Sequence, residues 1–275
     1  MKPIFIILLL ISFLFCTTSF SFPENILNIS IEKILDEEFY SDNDIGENGF
    51  VSCGGLVYDI SDNAFFSEFK GRDITVEAFN DESLAEKVVE LIVTGYRVIN
   101  YKEFSKNVDY PLVYVSYESV IYDVSHLYRW ETGNHFGRHN AGNDLTYELK
   151  NQAPHSAENI KKGYPVAFLG FDFEELKIEG KVLVAVDSII YDLTHFNRWK
   201  NGNHLNRHKS AEELTYEIRK MSPHGIGKLK DVFKIGLLSL NGIEAEKLAE
   251  DNNYVIDGEK IYDKRLDEII AIIVE

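Results

Sequence analysis

The chain opens on an apolar run, Ile4 to Cys16, preceded by Lys2 and followed by the polar stretch Thr17-Thr18-Ser19. That charged, apolar and small-residue order is the layout of a secretory signal, with Ser19 and Ser21 at the −3 and −1 cleavage positions. Phe20 and Phe22 lengthen the apolar stretch, so an uncleaved membrane anchor is the alternative. Either way residues 1–22 stand apart as a signal peptide or anchor. The rest is expected outside the cytoplasm, secreted or held at the cell surface. Further on, Leu112 to Tyr117 and Ser119 to Ser125 alternate or cluster β-branched and aromatic residues about a short turn, which predicts a hairpin. Leu183 to Val186 and Ser188 to Thr194 predict a second. Asp144 to Leu149, with Leu145 and Leu149 four apart, predicts a short helix that ends ahead of Pro154.

The pattern then repeats. Ile121 to His155 and Ile190 to His224 align without a gap at an offset of 69 residues, and 17 of the 35 positions are identical. The shared positions hold the Trp, the Gly-Asn-His, the Arg-His, the Leu-Thr-Tyr-Glu and the Pro-His. An earlier, degenerate copy keeps Val57-Tyr58-Asp59-Ile60-Ser61 and Gly71-Arg72-Asp73-Ile74-Thr75, with no His or Trp between them. Val255 to Asp263 reads as the start of a truncated fourth copy. Composition adds little: 45% apolar and 27% charged residues are enough for globular cores. Net charge adds more. At −17 the chain is excluded as a nucleic-acid binder and suits a basic partner protein instead. Past the leader only Cys53 remains, so neither an internal disulfide nor a cysteine-based metal cluster is available.

All eight histidines fall in the two full copies at matched positions: His126, His135, His139 and His155, then His195, His204, His208 and His224. Both tryptophans, Trp130 and Trp199, are matched as well and read as core or pocket wall. Imidazole ligates haem iron, zinc or copper. His135 and His139 lie four apart, on one face if the segment is helical, and with His155 make a three-nitrogen zinc site. Two histidines, one before and one after a short helix, suit the two axial positions of a haem better. His126 and His195 follow a strand end and read as capping residues.

The order Tyr-Asp-Val-Ser or Tyr-Asp-Leu-Thr, a Gly-containing loop with His, Ala-Gly-x-Asp-Leu-Thr and Pro-His resembles the cytochrome b5-like haem/steroid-binding family. The closest likeness is to its bacterial and archaeal branch, which carries a Trp-x-x-Gly-x-His loop. The resemblance implies an α+β fold of tandem cytochrome b5-like domains, each a small sheet with short helical hairpins. Residues 23–98 form the degenerate domain, 99–170 and 171–240 the haem-binding domains, and 241–275 the truncated segment. One haem b in each full copy is implied, two in all. His155 and His224 match the second ligand position. The first falls on His135 and His204, with His139 and His208 as alternatives, and Arg138 and Arg207 are placed to meet the propionates. In the degenerate copy Phe65-Phe66 stands where a related branch supplies a tyrosine, so no ligand is expected there. The implied function is one-electron transfer to a basic redox partner, without catalysis of a reaction of its own. The alternatives are a haem, steroid or lipid binding module with no redox role, and a zinc-binding interaction protein.

Overall fold

The computed structural model describes residues 26–153 and 157–274. Both predicted hairpins are present. Leu112–Tyr117 pairs antiparallel with Val120–Asp123, and Leu183–Val186 with Ile189–Asp192. Each turns through two left-handed residues, Glu118-Ser119 and Asp187-Ser188, which suits the twist of the strands they join. Two further hairpins pair Val51–Cys53 with Leu56–Tyr58 and Tyr254–Asp257 with Lys260–Asp263. One local device closes all four. Asp59, Asp123, Asp192 and Asp263 each accept the backbone N–H two residues on, at 2.8 Å. The recurring Tyr-Asp-x-Ser/Thr is therefore an Asx turn at the foot of a hairpin.

After each hairpin a longer strand returns beside it: Val93–Asn100, Tyr164–Phe171, Phe233–Leu240 and Glu268–Ile273. The first half of each return strand pairs antiparallel with its own hairpin. The remainder pairs in parallel with the neighbouring return strands. Phe168 to Gly170 lie against Val98 to Asn100, Gly170 and Phe171 against Leu237 and Leu238, and Ser239 and Leu240 against Ile272 and Ile273. Among the described residues one mixed sheet of 15 strands results, with a few helices. This corrects the expected α+β row of separate cytochrome b5-like domains. The last three return strands are largely apolar on both faces, and such a strand must be covered on both sides. An isolated small domain covers one.

Alternate residues of the return strands serve two cores. Phe168, Leu237 and Ile272 pack on the side that holds Trp130, Leu145 and Trp199. Leu169, Leu238 and Ala271 face the other side, with Phe104, Leu176 and Ala245 from the short connectors after each return strand. The strands come so close that side chains are excluded at the crossing. A Cβ on Gly170 would lie 2.3 Å from Ser239 Oγ and 2.7 Å from Val98 Cγ1.

One charged group is built into this frame. Arg97, in the first return strand, is buried. Its Nε donates to Asp42 at 2.7 Å, and its Nη1 pairs with Asp73. Burial opposes the charge, but Asp73 and Asp42 outweigh it and hold the guanidinium protonated.

The signal or anchor read at the N-terminus lies outside the described residues. Among the described residues no helix is long and apolar enough to cross a membrane. The expected anchoring at the cell surface is corrected to that extent: the described residues supply no span for it.

Candidate functional site

The histidine loop starts at a tight turn, Tyr128–Trp130, whose Trp130 is buried beneath it. Asn134–His135 then pairs antiparallel with His139–Asn140, and His135 stands directly opposite His139. The segment is a β-hairpin and not a helix, so the four-residue spacing makes the histidines cross-strand neighbours. Gly133 holds the loop down. Its φ is +66°, and a Cβ there would lie 1.9 Å from the carbonyl oxygen of Val108. At the tip, Phe136 is exposed in a left-handed conformation.

Three rings stack as a result. Trp130 and His135 lie 5.0 Å apart at 14°, and His135 and His139 lie 6.2 Å apart at 18°. The second copy reproduces this ladder. Trp199 to His204 is 4.9 Å at 11°, and His204 to His208 is 6.2 Å at 18°. Burial, then the neighbouring His208, Arg198 and Arg207, pushes the His204 imidazole below its ordinary value and favours its neutral form.

The element after the loop is a scaffold pin. The hydroxyls of Thr75, Thr146 and Thr215, all fully buried, accept the N–H of Gly54, Glu118 and Asp187 at the hairpin turns, at 2.9, 2.8 and 2.7 Å. Asp-Leu-Thr and its variants thus tie each loop to its hairpin, and the degenerate copy needs them as much as the others. The predicted helix forms two residues later, over Thr146–Asn151. Two carboxyls sit under the loops at matched positions. Burial pushes Asp144 up to about 7, against hydrogen bonds from Thr146 and Ser116. Glu213 is likewise pushed up to about 7 by burial, against those from Thr215. A carboxyl raised in the folded state contributes stability at acid pH, and that contribution is lost as the pH climbs through about 7. Thermal unfolding followed from pH 5.5 to 8.5 should show a midpoint that falls with pH. The Asp144→Asn/Glu213→Gln double variant should recover about 2 kcal/mol of the loss, or about 5 °C. A residual slope is expected from Glu175 and Glu259, both also raised to about 7 with burial as the main cause.

A cleft of about 1000 Å³ opens over the first ladder. Leu127, Leu145, Leu149 and Ile160 give it apolar walls, and Arg129, Arg138 and Lys162 give it a cationic rim. The structure brings Trp130, His135 and His139 together here, and Trp199, His204 and His208 in the second ladder. His155 lies outside the described residues. His224 is exposed at the head of a short helix, Gly225–Leu229. His126 stacks on Tyr164 at 4.1 Å and His195 on Tyr147 at 3.4 Å, so both serve as packing rings. Sequence reading missed Arg129, Ile160 and Lys162. Their signal was weak, because only the fold brings the segment near 160 over the loop.

These rings do not fit a metal. The lone pairs of an imidazole lie in its plane, and two ligands of one ion must aim them at one point. His135 instead lies flat on Trp130, and His139 stands 6.2 Å from His135. Among the described residues no group of three or more His, Cys, Asp or Glu side chains is disposed to hold a metal ion. The two expected haems, the zinc alternative and the iron-based electron transfer to a basic redox partner are corrected on this ground. The family-level steroid or lipid role, which was implied together with haem, falls with them.

No family model and no curated protein matches the sequence. Two solved structures are similar to part of it. One is a cytochrome b5 domain protein of Hadesarchaea, 36% identical over 26% of this chain and 97% of its own, with a TM-score of 0.25. The other is a cytochrome b5 domain protein of Methanococcoides burtonii, 31% identical over 26% of this chain and 95% of its own, also with a TM-score of 0.25. The resemblance to cytochrome b5-like domain proteins is thus distant and partial.

Proposed function

We propose that this protein is a metal-free binding module whose two aromatic ladders each take a planar aromatic organic anion, without turning it over. The finer kinship, to the Trp-x-x-Gly-x-His branch, rests on the sequence motif and is proposed only as the origin of the loop. The observation that carries the reading is the cleft over Trp130, His135 and His139, apolar in its walls and cationic at its rim. A flat ring matches a stack of flat rings, and guanidinium groups match a carboxylate or sulfonate. In the second ladder the His204 imidazole, held toward its neutral form, adds both a donor and an acceptor. The volume is in the range of small-molecule sites.

The two tryptophans are the only ones in the chain, and each belongs to one ladder, so their emission reports on both sites. Titration with 8-anilinonaphthalene-1-sulfonate should quench that emission saturably, with two dye molecules bound per chain. Trp130→Phe should remove about half of the quench. Arg129→Ala/Arg138→Ala should weaken the first site about tenfold. Unchanged tryptophan emission in a chain shown to be folded by near-ultraviolet circular dichroism would rule the reading out.

A further inference from the structure

A second cavity, of about 300 Å³, lies between the two self-similar segments and belongs to neither ladder. Four lysines line it: Lys150, Lys161, Lys230 and Lys234. Such a concentration stands out in a chain with 28 Lys and Arg against 45 Asp and Glu. Lys161 and Lys230 occupy matched positions 69 residues apart, yet both reach this one cavity. They do so because the return strands that follow them, Tyr164–Phe171 and Phe233–Leu240, run side by side. The lining also holds two carboxylates. Glu118 pairs with Lys150, and Glu32, from the N-terminal segment, pairs with Lys234. The lining thus holds four ammonium groups and two carboxylates inside a strongly acidic protein.

The lining also holds aromatic rings, those of Tyr117, Tyr122 and Phe233. Lys150 Nζ stands 5.6 Å from the centre of the Phe233 ring. Ser119, also in the lining, is buried, and its hydroxyl has no hydrogen-bond partner. The same orphan recurs at Ser188 in the next hairpin, so the lysines carry the argument and the hydroxyl only adds a donor. Burial also pushes the Lys234 ammonium below its ordinary value, the condition an incoming anion would relieve.

We infer that this cavity binds a small, multiply charged organic anion, a phosphate ester or polycarboxylate, with its charged groups among the lysines and its body against the aromatic rings. Lysine ammonium groups act as point charges and serve either acid. The inference is independent of the ladders.

Isothermal titration of the full chain with inorganic phosphate and with citrate, at low ionic strength and against a chloride control, tests it. At least one probe should bind saturably, one per chain, and the Lys150→Ala/Lys230→Ala variant should bind it at least tenfold more weakly. Both side chains are exposed, so the fold should persist. Lys230→Gln alone, a milder change, should show a smaller loss. Lys247→Ala, outside the cavity, should leave the affinity unchanged. No saturable binding of either probe would overturn the inference. Equal weakening by Lys247→Ala would overturn it too, because diffuse charge would then explain the binding.

Discussion

Arg97→Met will destabilise the protein by about 2–4 kcal/mol, the cost of taking a buried guanidinium away from the largely buried Asp73 and the exposed Asp42. The guanidinium holds Asp42, from the helix Asp42–Asn48, and Asp73, from the element that anchors the next helix. It also donates to the carbonyl of Val166 in the neighbouring return strand, at 3.4 Å. Removing it strands the largely buried Asp73 without its counter-charge, while Asp42 stays open to solvent. Urea unfolding should show the midpoint moving down with an unchanged slope. A triple variant, Arg97→Met with Asp42→Asn and Asp73→Asn, should regain a large part of the loss, because the stranded charge is then gone. A loss below 1 kcal/mol for the single variant would mean that the cluster is hydrated and not part of the frame.

Gly170→Ala will cost about 2–3 kcal/mol, and it will do so across the whole chain at once. The glycine stands where three return strands meet, and a methyl group there would press on Val98, Asn100 and Ser239 together. Its backbone is not left-handed, so the effect is steric and not conformational. Because the strands share one sheet, the entire unfolding transition should shift as a single step. Differential scanning calorimetry distinguishes this from independent domains, which would give one shifted and several unshifted transitions. A second, unmoved transition would contradict the continuous sheet.

The sequence made the hairpins legible, because Val-Tyr-Val-Ser-Tyr and Val-Ile-Tyr-Asp carry strand residues about a short turn. It made the matched Trp and His positions legible by self-comparison alone. The sheet that unites them was not read, although its signal was present. Val166 to Phe171, Ile235 to Leu240 and Ile269 to Ile273 are near-continuous apolar runs, the mark of strands buried on both faces. They lie just after the self-similar blocks, so a comparison that stopped at His155 and His224 passed over them. The histidine loop was misread for another reason. A four-residue spacing fits one face of a helix, and it fits equally two strands joined by a three-residue tip. Phe136-Gly137 and Leu205-Asn206, all with positive φ, decide for the strands. The lysine cavity could not be read at all, since its residues come from positions between 27 and 234 that only the fold assembles.

The division of labour within each return strand sets how such a molecule can grow. Half of the strand is satisfied by its own hairpin, and the other half offers the same parallel register to whatever follows. A gene duplication that inserts one more 69-residue segment would therefore present the next return strand with the pairing partner it already had in kind. Length can change by whole segments while each existing contact is kept. Histidine loops can meanwhile be gained or stripped out one segment at a time, as the span from Val51 to Asn100 already illustrates.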